Sequence, residues 1–322
     1  MGKIKFSAKG KPTVSAVDQD ILSHALVVAS HGRHFVARGD DGKLWQLFGK
    51  GKRREVAVGD EVSIRPSGDE QAWVEEILPR RNLVYRSDAL KSKLFAANLD
   101  QVLLVLAISP PYSTELLGRT LVACQHAGVP LHVVFNKVDL FDDVQEAMAE
   151  FTEELNAWTR GECPIHFVSL TEAPHDAQAH MLSLLEHKRT LILGQSGMGK
   201  STLINLLIPE ARASTNEISM ALNAGKHTTT HTQMHVGDAG LELIDSPGFQ
   251  AFGLFHLSED ELLDAFPDIA KPGLRCRFAN CQHLREPDCA VKLALGTTEL
   301  SAARFELFLL LREELRSGQG YA

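Results

Sequence analysis

Between residues 23 and 83 the apolar positions fall in short β-rich runs at 25–29, 34–38, 44–48, 60–65 and 72–78, parted by glycine-bearing turns. Runs of this length and spacing predict half-buried strands. Five such strands in so short a segment predict a small all-β barrel, and an OB-fold is the size-matched candidate. Residues 1–22 show no comparable pattern and read as a flexible tail.

From about residue 100 the pattern changes. The runs 102–108, 131–135, 165–168, 190–193 and 241–244 are nearly continuously apolar, as expected of parallel strands covered on both faces. Helical patterns at 114–127, 144–158 and 177–186 lie between them. Strand–helix alternation of this kind predicts a doubly wound α/β domain. Past residue 253 the chain reads as mostly helical and ends in an amphipathic helix at 299–316. The expected organisation is multidomain α/β, with a tail at 1–22, a barrel at 23–86, an α/β core at 87–255 and a helical module at 256–322.

Composition narrows the class. The chain has 322 residues, 44% hydrophobic and 23% charged, which excludes global disorder. No apolar run approaches the roughly 18–20 residues of a membrane span, and the basic N-terminus lacks the apolar stretch of a secretory signal. A cytoplasmic protein without membrane contact is expected. The net charge of −8 argues against nucleic acid as a partner until its distribution is considered. Residues 1–86 hold 15 Lys and Arg against 11 Asp and Glu, so the surplus acid lies in the remainder. Lys50, Lys52, Arg53 and Arg54 sit together in one Gly-containing stretch and are candidate contacts to an RNA phosphate backbone.

The segment Gly194, Gln195, Ser196, Gly197, Met198, Gly199, Lys200, Ser201, Thr202 fits the P-loop pattern between an apolar strand and a helix. Its glycines let backbone N–H groups converge on phosphate oxygens at a helix N-terminus. Lys200 would reach the β- and γ-phosphates, and the Ser201 hydroxyl would ligate magnesium. Downstream, a strand ends in Asp245-Ser-Pro-Gly248, where the Asp can hold magnesium through water and the Gly amide can sense the γ-phosphate. The polar loop 225–231 lies between. One of Thr228, Thr229 and Thr230 is its candidate magnesium ligand, with Thr229 placed first.

Asn136, Lys137, Val138 and Asp139 follow a buried strand. A carboxylate there accepts from both the N1–H and the exocyclic amine of guanine, a donor pair that adenine lacks. Ser169 lies at the end of a further strand and can support the base. GTP and GDP are therefore the expected ligands. In ordinary GTPases the P-loop precedes this base motif, whereas here Asn136 precedes Gly194. Circular permutation keeps the strands in one sheet and directs the Asp245–Gly248 segment into the C-terminal module.

Cys276, Cys281, His283 and Cys289 supply three thiols and an imidazole within one short segment. Four protein ligands with no vacant position indicate a structural zinc site, although ligand type does not by itself exclude iron. Arg275, Arg277, Arg285 and Lys292 beside the cluster read equally as phosphate contacts or as solvated charge. Cys124 and Cys163 read as core thiols.

With these motifs in this order, the chain resembles the RsgA (YjeQ) family of circularly permuted small ribosomal subunit biogenesis GTPases. The resemblance spans nearly the whole sequence. It implies an N-terminal OB-fold that binds RNA, a permuted GTPase core and a C-terminal zinc domain. It also implies GTP hydrolysis stimulated by the 30S subunit during late maturation, with 16S rRNA as partner and the protein acting as a monomer. In many GTPases a Gln shortly after Asp-x-x-Gly orients the attacking water; here Phe249 takes its place and Gln250 is shifted by one. His227 is the candidate in its stead, His231 is the rival, and a third reading gives neither a catalytic role. Two other functions compete: a nucleotide-gated RNA-binding scaffold with negligible hydrolysis, and a permuted GTPase of large-subunit assembly. The barrel and the zinc cluster together disfavour the second.

Overall fold

The structure is a computed structural model that describes residues 22–31, 34–49, 56–87, 92–211, 232–245 and 253–319. Five strands form the N-terminal barrel: β1 (Ser23–His31), β2 (His34–Gly39), β3 (Leu44–Gly49), β4 (Glu61–Pro66) and β5 (Gln71–Ile77). They run in the order β1-β2-β3-β5-β4, and a β1–β4 pairing closes the ring. Alternation in β4 shows why: Val62 and Ile64 point into the barrel, whereas Glu61, Ser63 and Arg65 point away. Strand β3 pairs with β5 in parallel, and every other pairing in the barrel is antiparallel. This is the five-stranded OB-type barrel that the sequence predicts.

A hairpin, β6 (Leu83–Ser87) and β7 (Ser92–Ala97), leads from the barrel to the α/β core. The core comprises β8 (Gln101–Ala107), α1 (Thr114–Ala127), β9 (Leu131–Asn136), α2 (Val144–Thr159), β10 (Ile165–Val168), α3 (Pro174–Leu185), β11 (Arg189–Leu193), α4 (Lys200–Leu207), β12 (Thr232–Val236) and β13 (Glu242–Asp245). The strand order is β10-β9-β8-β11-β13-β12, with only β12 antiparallel to its neighbour. Central strand β8 is buried throughout, because apolar clusters cover both faces of the sheet.

Barrel and core are joined at several points among the described residues. Strand β12 pairs with β1, placing Gln233 opposite Ala29 and Thr232 opposite Ser30, so that one sheet of eleven strands runs through both units. Arg189, at the start of β11, donates to Gly59 O at 2.9 Å and to Glu242 at 2.6 Å, while its backbone N–H donates to Asp100 at 2.8 Å. Gly59 has φ +92°, and a Cβ there would lie 2.2 Å from Ala97 O, so no side chain fits.

The C-terminal module contains α5 (Glu259–Asp264), α6 (Pro267–Gly273), α7 (Ala290–Ala294) and α8 (Ala302–Gln319). Helix α5 starts at a capping box made by Ser258 and Glu261. The module packs on α1 and α2: Leu307 lies against Gly118, and Arg119 donates to Glu314 at 2.9 and 3.0 Å. Arg304 is 1% exposed and donates to both oxygens of Asp268, at 2.7 and 3.0 Å, and to Trp158 O of α2 at 2.7 Å. Truncation by Arg304→Ala would strand the buried Asp268 carboxylate, so a loss of about 3–5 kcal/mol in stability is expected in denaturant titration. A loss near zero would show that this pair is not a brace. Among the described residues, no helix is long and apolar enough to cross a membrane.

Candidate functional site

The C-terminal ends of β8, β9, β10 and β11 converge on one edge of the core. Strand β11 leads into the glycine loop, which enters α4 at Lys200. Gly194, Gly197 and Gly199 all have positive φ, at +142°, +82° and +109°. A Cβ on Gly194 would lie 2.3 Å from Val105 O, and one on Gly199 would lie 2.3 Å from Asn136 Nδ2. The loop is therefore closed against Val105 and Asn136 on one side, where only glycine fits.

Lys200 folds over this loop, its ammonium donating to Gly194 O at 2.6 Å and Gln195 O at 2.9 Å. Burial pushes its pKa down, and the field of Asp245 acts in the opposite sense. Asp245 thus feels Lys200 across the cleft, at the end of β13 next to β11. Ser201 and Thr202 occupy the first turn of α4, and Met198 is fully buried. The Gln195 side chain accepts from the backbone N–H of Ser113 at 2.9 Å, which ties the loop to the start of α1.

The base-side residues meet at the same edge. Asn136 is 3% exposed; its amide donates to Met198 O at 2.9 Å, and its Oδ1 accepts from Leu170 N at 3.1 Å. This one side chain therefore cross-links the phosphate loop to the loop after β10. The Lys137 ammonium donates to Ser109 O at 2.6 Å, and Val138 opens a short 3₁₀ turn. The Ser169 hydroxyl donates to the Asp139 carboxylate and accepts from Glu172 N at 3.2 Å. Asn136, Asp139, Ser169 and the phosphate loop are brought together at this edge. Gly248, the loop 225–231 with His227, Thr228, Thr229, Thr230 and His231, and the cluster Lys50, Lys52, Arg53 and Arg54 lie outside the described residues.

In the C-terminal module, one ligand atom from each of Cys276, Cys281, His283 and Cys289 lies within 4.8 Å of the others. The separations are 3.9 Å for Cys276 Sγ to Cys289 Sγ, and 3.6 and 3.5 Å from His283 Nδ1 to the sulfurs of Cys276 and Cys289. Tetrahedral zinc with ordinary bond lengths requires about 3.8 Å between sulfurs and about 3.6 Å from sulfur to nitrogen. The donor set therefore fits a closed structural site. Desolvation opposes the Cys276 thiolate, but backbone N–H groups of Val291 and Ala290 outweigh it and lower its pKa. Cys281 is pushed the other way, by desolvation and by the neighbouring sulfurs. A bound dication removes that conflict among the thiolates.

Glu286 belongs to no sequence motif. Its carboxylate accepts from the backbone N–H of Gln282, Leu284 and Arg285 at 2.9, 3.0 and 3.1 Å, bracing the loop between His283 and Cys289. Those N–H groups, Gln282 first, depress its pKa from 4.5 to about 2. The brace is thus fully present above the ordinary carboxylate range and is lost only as pH falls through about 2. Metal loss near pH ~4 is then expected to follow protonation of the ligands themselves. Glu286→Gln should release metal about 10-fold faster in chelator competition at neutral pH; an unchanged rate would remove Glu286 from the site's support. Cys124 and Cys163 are buried, and burial holds both thiol pKa values up, that of Cys163 at about 11.

A P-loop at the end of one strand and a base pocket at the end of an earlier one, with a Cys₃His module behind them, define a circularly permuted GTPase. The family model described as RsgA GTPase matches residues 77–255. The small ribosomal subunit biogenesis GTPase RsgA of Burkholderia pseudomallei strain K96243 is 48% identical over 312 residues, covering 97% of this chain and 98% of that protein. Its namesake from Paraburkholderia xenovorans strain LB400 is 47% identical over 295 residues, covering 90% and 92%. The crystal structure of YjeQ from Thermotoga maritima aligns with a TM-score of 0.66 at 26% identity, covering 92% of this chain and 99% of that one. That of YloQ, a circularly permuted GTPase, aligns with a TM-score of 0.63 at 25% identity, covering 93% of this chain and 97% of that one. This chain belongs to the RsgA family and is a hydrolase acting on GTP.

Proposed function

We propose that this GTPase acts in late maturation of the 30S subunit, that the small subunit stimulates its turnover, and that nucleotide state governs its binding and release. The observation that carries this reading is near-half identity, over almost the whole chain, to relatives named for small-subunit biogenesis. The test is multiple-turnover phosphate release with purified small subunits, large subunits or free RNA added. Stimulation by small subunits alone is the expected result. Equal stimulation by all three would sink the reading, and absence of turnover would favour a nucleotide-gated scaffold.

The residue roles that go with this reading are as follows. The amides of Gly194, Gln195, Ser196, Gly197, Met198 and Gly199, with Ser201 and Thr202, cradle the phosphates, and Lys200 turns from its loop carbonyls onto the β- and γ-oxygens. Asp139, oriented by Ser169, accepts the guanine N–H pair, while Asn136 holds that pocket in register with the phosphate loop and Lys137 and Val138 line it. Ser201, Asp245 and Thr229 hold magnesium, which neutralises charge developing on the phosphates. Gly248 senses the γ-phosphate. Cys276, Cys281, His283 and Cys289 hold one zinc ion, which supplies folding energy to the C-terminal module. Lys50, Lys52, Arg53 and Arg54 contact 16S rRNA, and the protein works as a cytoplasmic monomer. The units 23–86, 87–255 and 256–322 serve RNA binding, hydrolysis and metal-braced docking in turn.

His227 is assigned to orient the attacking water, with His231 as its rival. His227→Ala should lower subunit-stimulated turnover by about 10²–10⁴-fold, the usual worth of a positioned acid–base group, with GTP affinity retained. Unchanged stimulated turnover would clear His227 of that role.

A further inference from the structure

A cleft of about 810 Å³ opens between the C-terminal end of α2 and the helical module, and no residue of the nucleotide site lines it. Its lining holds four cationic side chains, Arg160, Lys271, Arg275 and Arg304, against two carboxylates, Asp268 and Glu299. That is a local cationic surplus in a chain of net charge −8. The Arg304–Asp268 pair is closed and buried, so it forms a fixed floor. The other three cations are exposed on the walls. Arg160 reaches Glu162 and Asp268 only at 3.7 and 3.8 Å, and Arg275 reaches Glu299 at 3.5 Å. Arg160 and Arg275 are exposed and their contacts are long, so these pairs hold weakly and leave both guanidinium groups open to another anion.

The lining contains no aromatic side chain, so a nucleobase has nothing there to stack on. What it offers is guanidinium, ammonium and the hydroxyls of Thr297 and Thr298, groups that suit phosphate oxygens. The volume is several times that of one phosphate, which favours a run of linked phosphates over a single anion. We infer that this cleft seats the phosphodiester backbone of an RNA strand, with the GTPase core contributing Arg160 and the C-terminal module Lys271 and Arg275. The inference rests on the small-subunit reading above and extends it to a contact surface distinct from the N-terminal basic cluster. A strand seated there bridges the two units and reads no base.

The experiment uses the full-length, zinc-loaded protein and its Arg160→Ala/Lys271→Ala/Arg275→Ala variant. Affinity for purified small subunits and for a short single-stranded RNA is measured across a salt series. Each phosphate contact contributes about 0.7–0.9 to the slope of log affinity against log salt, so loss of three should flatten it by about 2. Zinc content and basal GTP turnover should stay unchanged. Arg277→Ala, in the same module but outside the cleft, should leave most of the slope intact. An unchanged slope in the triple variant, with wild-type protein still binding small subunits, overturns the cleft and leaves the small-subunit reading standing. The cleft is equally overturned if Arg277→Ala flattens the slope as much as the triple variant does. Saturable binding of inorganic phosphate that the variant abolishes, without any change in RNA affinity, assigns the cleft to a free anion and overturns the RNA assignment. Wild-type protein that binds no small subunit in any nucleotide state overturns the underlying reading and the inference with it. Should the triple variant lose zinc, Lys271→Glu alone provides the same readout with a smaller flattening.

Discussion

Lys200→Ala is expected to reduce subunit-stimulated GTP turnover at least about 10³-fold, equivalent to about 4 kcal/mol of transition-state stabilisation. Two observations set that size. The Lys200 ammonium is held over the loop by Gly194 O and Gln195 O, so it already lies beside the amides proposed to cradle the phosphates. It is also partly desolvated, which strengthens its interaction with charge developing there. Alanine removes the charge without altering the backbone of α4, because the loop's shape is set by the positive-φ glycines. The measurement is single-turnover hydrolysis at saturating GTP alongside equilibrium nucleotide binding. A variant that hydrolyses GTP within about ten-fold of wild type would remove Lys200 from the chemistry.

The second large effect concerns the metal module. Cys289→Ser should lower zinc affinity by more than the roughly 10–100-fold typical of a lost outer partner, since it removes one of the four proposed direct ligands. Cys289 is buried and immediately precedes α7. Losing its bond to the metal therefore frees the loop from Cys276 onward and the packing of α7 against α6 together. Structural zinc sites carry folding energy outright, on the order of 10 kcal/mol in small peptides, but α8 remains tied to the core through Arg304 and Arg119. Local opening is thus expected, seen as new protease cuts between residues 276 and 289 and loss of zinc, with the core's melting transition retained. Full zinc content and an unchanged digestion pattern would refute this account.

How much of this was legible beforehand depends on how local the determinants are. The phosphate loop, the Asn136–Asp139 turn and the Cys₃His cluster are short motifs, so they are legible as candidates from spacing together with the strands that precede them. The barrel strands were legible because alternation such as that in β4 is dictated by one buried face. Strand β12 is not: Gln233 and His235 interrupt its apolar pattern, and both are buried where β12 pairs with β13 and, at Gln233, with distant β1. Arg304 was equally opaque, since an arginine in an amphipathic helix reads as solvated until Asp268 and the end of α2 close around it. Glu286 looked like surface charge; only the fold of the metal loop turns three N–H groups toward it.

The seam between β1 and β12 also bears on the order in which the chain assembles. Ala29 and its partner Gln233 are 204 positions apart, so at roughly 5–20 residues per second β1 waits about 10–40 s for its partner during synthesis. All the pairings of the barrel itself lie within residues 23–77 and can form first. Until β12 is made, the edge of β1 at Ala29 and Ser30 is an open template for another strand. The eleven-stranded sheet is therefore completed last at its middle, and a chain interrupted before residue 232 would leave the ribosome with that edge uncovered.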